Sequence, residues 1–223
     1  MGLDAGTVGR IMRSHVVLLG DSIFDNRAYT AGEPDVVDHL RGILPPSWRA
    51  TLCAVDGSTA ASSTRQLVEV PPDATHLVLS VGGNDAIQNA DLLVGAPVRS
   101  TAEALALFGE RAGRFERDYR ALIERVLSMR RDTTICTVYN GNLGGTVAAL
   151  ARIALTIFND VILRVAFERR LRVIDLRLVC NDPADYANPI EPSGHGGRKI
   201  ALAIARSLGA VEGEPGPATV HGG

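Results

Sequence analysis

A chain of 223 residues, 46% hydrophobic and 22% charged, suits one globular domain with a substantial core. Its formal net charge of −2 gives no reason to expect nucleic acid or an anionic membrane as partner. The longest apolar segment, Thr146–Phe167, is interrupted by Arg152, Asn159, Asp160 and Arg164, so no membrane span is expected. Met1–Met12 is Gly-rich and lacks the apolar run of a signal peptide, which makes a cytoplasmic location the expectation.

Strand-like and helix-like runs alternate along the chain. The first strand is expected over His15–Leu19, followed by a helix over Asp35–Leu44 that starts after Pro34 and stops before Pro45-Pro46. A second strand, Ala50–Val55, precedes a short helix at Ser62–Glu69. A third strand, His76–Val81, leads through a loop, Ile87–Thr101, that would serve as a lid. The helix Glu103–Arg130 follows, with Leu105, Phe108, Ala112, Phe115, Tyr119, Leu122, Val126 and Met129 on one face. Thr134–Tyr139 is the fourth strand, Thr146–Arg170 a more apolar helix, and Arg172–Asp175 the fifth strand. Ser193–Leu208 closes the series, with Ser193 as N-cap. This alternation predicts an α/β fold whose parallel sheet is covered on both faces. Residues 1–14 read as an extension, 15–209 as the domain, and 210–223, rich in Gly and Pro, as a disordered tail. Cys53, Cys136 and Cys180 read as reduced thiols.

Each distinctive motif falls after a strand, at the edge where such sheets bind ligands. Gly20-Asp21-Ser22-Ile23 follows the first strand, and a serine held there by a glycine turn is placed as a nucleophile. Asp56-Gly57-Ser58 follows the second strand and Gly82-Gly83-Asn84-Asp85 the third. Acyl transfer through a serine needs donors aimed at the tetrahedral oxyanion. The Ser22 and Gly57 backbone amides and the Asn84 side-chain amide fit that role, although turn and cap functions would account for each motif taken singly. Asp21, Asp25 and Glu191 lack any accompanying His or Cys ligand spacing, so no metal site is expected.

With these blocks the chain resembles the GDSL-type SGNH hydrolases, from about Val16 to Leu208. Ser22, Gly57 and Asn84 match the serine, glycine and asparagine of the family's first three blocks, with Ile23 where leucine is usual. The resemblance implies a flavodoxin-like, three-layer α/β/α fold with a doubly wound, five-stranded parallel sheet. It further implies hydrolysis of small-molecule esters and no metal or organic cofactor. The fourth block departs from the family's Asp-x-x-His-Pro. With Pro192-Ser193 fixing the register, Glu191 stands at the histidine position and Asn188 at the aspartate position.

Two side chains compete for the missing base. Glu191 is less basic than histidine by about 2 pK units, a deficit that burial or Asp21 beside Ser22 would reduce. It would also need no orienting carboxylate. The alternative is His195, about one helical turn further on, oriented by Asp182, Asp185 or Glu191. His15 and His76 lie at the opposite edge of the sheet, His39 in the first helix and His221 in the tail. The leading expectation is therefore a serine esterase forming an acyl-enzyme on Ser22. A catalytically impaired binding protein and an acyltransferase stay open beside it. Phe24 and Tyr29 would line an acyl pocket or belong to the core.

Overall fold

In the computed structural model, residues 13–95 and 97–212 are described. Of the expected extension 1–14 and tail 210–223, residues 1–12 and 213–223, with His221, lie outside them, and Ser14 opens the first strand. Five strands form one parallel sheet: β1 (Ser14–Gly20), β2 (Trp48–Leu52), β3 (His76–Ser80), β4 (Asp132–Cys136) and β5 (Arg172–Ile174). Their order is β2-β1-β3-β4-β5. The chain thus winds outward to β2, returns past β1, and continues in the other direction. The crevice between β1 and β3 is the switch point at which a doubly wound sheet opens to ligands.

Alternation along the buried strands builds two cores. Val16 and Leu18 of β1 face one layer and Val17 and Leu19 the other, as period-two geometry requires. The first layer holds α1 (Val36–Ile43) and the C-terminal helix (Gly194–Ser207), packed on Val78 and Ile174. Between those two in sequence lie α2 (Gly83–Ile87), α3 (Asp91–Val94), α4 (Thr101–Ser128), α5 (Gly145–Glu168) and α6 (Leu176–Val179), which makes the C-terminal helix α7. The long helices α4 and α5 form the second layer, packed on Leu77, Leu79 and Ile135. Asp35 caps α1 by accepting from the Asp38 amide, and Ser193 caps α7 through Gly196.

Three expectations change. The stretch Ser62–Glu69 is a 3-10 helix. The expected loop Ile87–Thr101 contains α3 and is preceded by α2, both too short for a period to announce. The expectation that no segment reaches spanning length is also corrected: α5 has 24 residues and an 18-residue window of mean hydropathy 1.7, long and apolar enough to cross a bilayer by length and composition. Its C-terminal half is instead packed into the second core layer through Phe158, Val161, Ile162 and Val165.

Candidate active site

The turn that carries Ser22 is fixed by backbone geometry. Gly20 closes β1 at φ +128°, and a Cβ there would lie 1.7 Å from the Ser80 carbonyl oxygen, so only glycine fits. The next residue, Asp21, donates its amide to that carbonyl at 3.1 Å. The Asp21 carbonyl then accepts from the amides of Phe24 and Asp25, both at 3.1 Å, which curls the chain around Ser22. From the neighbouring 3-10 helix, buried Gln66 clamps the same strand end. Its Oε1 accepts from the Gly20 amide at 2.8 Å, and its Nε2 donates to the Gly20 carbonyl at 2.7 Å and to the Ser58 hydroxyl at 3.2 Å.

The exits of β2 and β3 are tied together. Asn84 donates through Nδ2 to the Ser58 carbonyl at 3.0 Å, which leaves its second N–H free to act on a ligand. Asp85 accepts from the Ala60 amide at 3.0 Å, and burial pushes its carboxyl up to about 6. Gly57 sits on an exposed turn at φ +77°, outside the cavity described below. Among the described residues the amides of both Ser22 and Gly57 lack an acceptor.

Glu191 approaches Ser22 from the loop before α7. The Ser22 hydroxyl donates to Glu191 Oε1 at 3.1 Å, with both residues buried. Several bonds hold this loop. Asn188 accepts through Oδ1 from the amides of Ile190 and Glu191, both at 2.9 Å, and Ala187 donates to the Glu191 carbonyl at 2.9 Å. Buried Tyr139 donates its hydroxyl to the Ile190 carbonyl at 2.6 Å, and buried Asn26 donates to the Pro192 carbonyl at 3.2 Å. Asn188 therefore shapes the loop backbone. Glu191 Oε2 is buried and has no partner among the described residues. Burial raises the Glu191 carboxyl above the usual range. The Ser22 hydroxyl opposes the rise and the Asp56 carboxylate adds to it.

His195 is not brought to Ser22. Its ring is largely exposed, at 62%, and its Nε2 lies 3.6 Å from Asp185 Oδ1. Asp185 is fully buried and held by Lys199 at 2.6 Å. The geometry follows from the early start of α7, because Gly194 already opens the helix and His195 belongs to its first turn. Among the remaining histidines, His15 is bonded to Thr51 and Asp73 at the amino edge of the sheet. No His, Cys, Asp or Glu cluster suited to a metal ion occurs among the described residues.

Asp21, beside Ser22, is almost fully buried. Burial pushes its carboxyl up to about 8; the Ile23 amide opposes the rise, and the Glu191 and Asp85 carboxylates add to it. Ser22, Asp21, Asn84 and Glu191 all open into one cavity of about 330 Å³, whose other walls come from α2, α3, α4, α5 and the segment between β4 and α5. Phe24 is core and Tyr29 bonds Asp56 at 2.7 Å, so neither lines it. Gln66, Tyr139 and Asn26 are the contributors that the sequence does not announce. Each acts on backbone groups far away in the chain, and no local pattern marks such a partner.

A parallel sheet of order 2-1-3-4-5, with a serine, an asparagine and a carboxylate gathered over its β1/β3 crevice, defines a three-layer α/β protein with a candidate active site at the switch point. The profile of the GDSL-like lipase/acylhydrolase family matches residues 18–198, and the chain belongs to that family. Solved structures share the fold. The lipase Lip_vut3 from a goat rumen metagenome superposes with a TM-score of 0.68 at 16% identity, over 87% of this chain and 97% of its own. A lipolytic G-D-S-L family protein from Veillonella parvula gives 0.66 at 15% identity, over 89% and 100%. The extracellular lipase of Streptomyces rimosus gives 0.61 at 16% identity, over 89% and 100%. No curated protein matches the chain significantly.

Proposed function

We propose that the protein cleaves small-molecule carboxylic esters through an acyl-enzyme on Ser22, with Glu191 as general base in the place of the family's histidine. The observation that carries this reading is the 3.1 Å hydrogen bond from the Ser22 hydroxyl to Glu191, made at the cavity floor. Family membership supports ester hydrolysis as the reaction class.

As the Ser22 oxygen attacks the acyl carbonyl, its proton passes to Glu191. The oxyanion receives the Ser22 amide and the free N–H of Asn84. Collapse of the tetrahedral intermediate breaks the ester C–O bond, and protonated Glu191 returns the proton to the departing alkoxide. Water, deprotonated by Glu191, then attacks the acyl-enzyme; the acyl–Oγ bond breaks and Glu191 hands the proton to the Ser22 oxygen, releasing the acid and free Ser22.

A carboxylate is a weak base in water. Burial of Glu191 supports the assignment because it raises the carboxyl's affinity for a proton and so narrows the gap to an imidazole. A glutamate fixed by its own backbone loop needs no aspartate behind it, which fits Asn188 as a loop-shaping residue.

The test is turnover of p-nitrophenyl esters by the wild type and Ser22→Ala, with mass spectrometry for the acyl adduct. Serine-dependent turnover with an adduct on Ser22 is expected. Ligand binding without turnover would favour a non-catalytic binding protein. Product mixtures shifted towards new esters by added alcohols would favour an acyltransferase.

A further inference from the structure

We infer that the cavity beside Ser22 takes the unbranched acyl chain of a medium-length ester, with Ala151 and Ala154 of α5 setting the room available. This inference rests on the ester-cleavage reading and names its substrate class.

The room arises from one helix face. Val147, Ala151, Ala154, Leu155 and Phe158 recur at helical spacing on the side of α5 that lines the cavity. Further along α5, Phe158 and Ile162 are buried against the sheet and close the core. Towards its N-terminus the face continues with alanines at 151 and 154, and the space that larger side chains would fill stays open. Leu92 and Leu93 of α3 and Phe108 of α4 stand among the other walls.

The chemistry of those walls selects the ligand. Besides Asp21 and Glu191 at the Ser22 end, Arg111 is the one charged side chain lining the cavity among the described residues. Its guanidinium donates to Asn89 at 3.0 Å and lies 3.7 Å from Asp91, so it is already occupied. Most of those walls are apolar, with Asn84, Asn89 and Asn140 the amides among them, which favours a hydrocarbon chain over a sugar ring whose hydroxyls would be costly to bury. An acetyl group would leave most of the cavity without contacts. A cavity of about 330 Å³ is far more room than an acetyl group fills, which points to a medium-length chain. Each methylene moved from water into the cavity adds about fourfold to kcat/KM until the space is filled.

The test pairs turnover with binding. kcat/KM for p-nitrophenyl esters from acetate to myristate is expected to climb to a maximum near octanoate or decanoate. Sodium decanoate is expected to raise the melting temperature of Ser22→Ala, where no turnover intervenes. In Ala154→Phe, and separately in Ala151→Leu, the decanoate-to-acetate ratio of kcat/KM should fall at least about tenfold, and the decanoate-induced melting shift should shrink. Two substitutions guard against one that fails to fold. A profile that peaks at acetate, with no decanoate shift, would overturn the inference while leaving ester cleavage standing. A decanoate shift that depends on Ala151 and Ala154, with no ester turnover at any chain length, would uphold the pocket and remove the cleavage reading.

Discussion

The Ser22 hydroxyl and the Glu191 carboxylate meet at 3.1 Å although 169 positions separate them in the chain. The partnership depends on two rigid supports. Gly20 lets β1 end against the Ser80 carbonyl, and Asn188 folds the opposing loop by accepting the Glu191 amide at 2.9 Å. Neither side chain has to be ordered at the moment of reaction, which is how a positioned base gains over one free in solution.

Replacing Glu191 with Gln keeps the size and removes the base. We expect kcat/KM to fall by roughly 10²–10⁴-fold with little change in melting temperature. His195→Ala should leave turnover unchanged, because the ring is exposed and turned towards Asp185. Parallel kinetics on the two variants decide between the bases. A larger loss in His195→Ala would reverse the assignment.

The pH dependence follows from two raised carboxyls. Glu191 must be ionised to act, so kcat/KM should rise with pH through a value above the ordinary glutamate range. Asp21 loses its proton near pH 8, and the added negative charge beside the developing oxyanion should lower the rate there. A bell-shaped profile is expected, and Asp21→Asn should flatten its alkaline side.

Asp21 also links stability to pH. Its folded-state value, about 8, lies above the ordinary 3.8, so the folded chain binds this proton more tightly than the unfolded chain. The contribution is fully present below the ordinary value and is lost as pH rises through the folded one. Melting temperature should therefore decline between about pH 4 and 8 more steeply in the wild type than in Asp21→Asn. Parallel slopes in calorimetry would contradict this assignment.

Gln66→Ala would leave the buried Gly20 amide without its acceptor and the Gly20 carbonyl with the Val55 amide alone. The cost of one unpaired buried group is about 1–3 kcal/mol, so a clear drop in denaturant midpoint is expected. Turnover should fall as well, since the same clamp holds the strand end that carries Ser22. Unaltered stability would mean that water replaces the amide.

Asn84→Ala removes the proposed oxyanion donor and the bond to the Ser58 carbonyl. A loss of roughly 10²–10³-fold in kcat, with KM changed much less, is the signature of a contact made in the transition state. Equal changes in both constants would place Asn84 in ground-state binding instead.

The sheet was readable because its strands carry their own signal. The apolar runs at β1 and β3 are bounded by glycine turns, and the period of α4 and α5 spans many turns. The helices α2 and α3 were not, since four or five residues define no period. Ser22, Asn84 and Glu191 were legible from motif and register, and the structure brings all three to one cavity. That Glu191 reaches Ser22 and His195 does not follows from where α7 starts, which Ser193 and Gly194 alone do not decide. The clamp by Gln66 and the support from Tyr139 are long-range bonds to main-chain groups, for which a linear pattern holds no trace.

The central claim is that Glu191 activates Ser22. Its most direct measurement is the rate at which a fluorophosphonate labels Ser22, followed by intact-mass spectrometry across pH in the wild type and Glu191→Gln. Rapid wild-type labelling that rises through an acid limb above the ordinary glutamate range, and is lost in Glu191→Gln, is the predicted result. Equal labelling of the two proteins, or none in either, would contradict it.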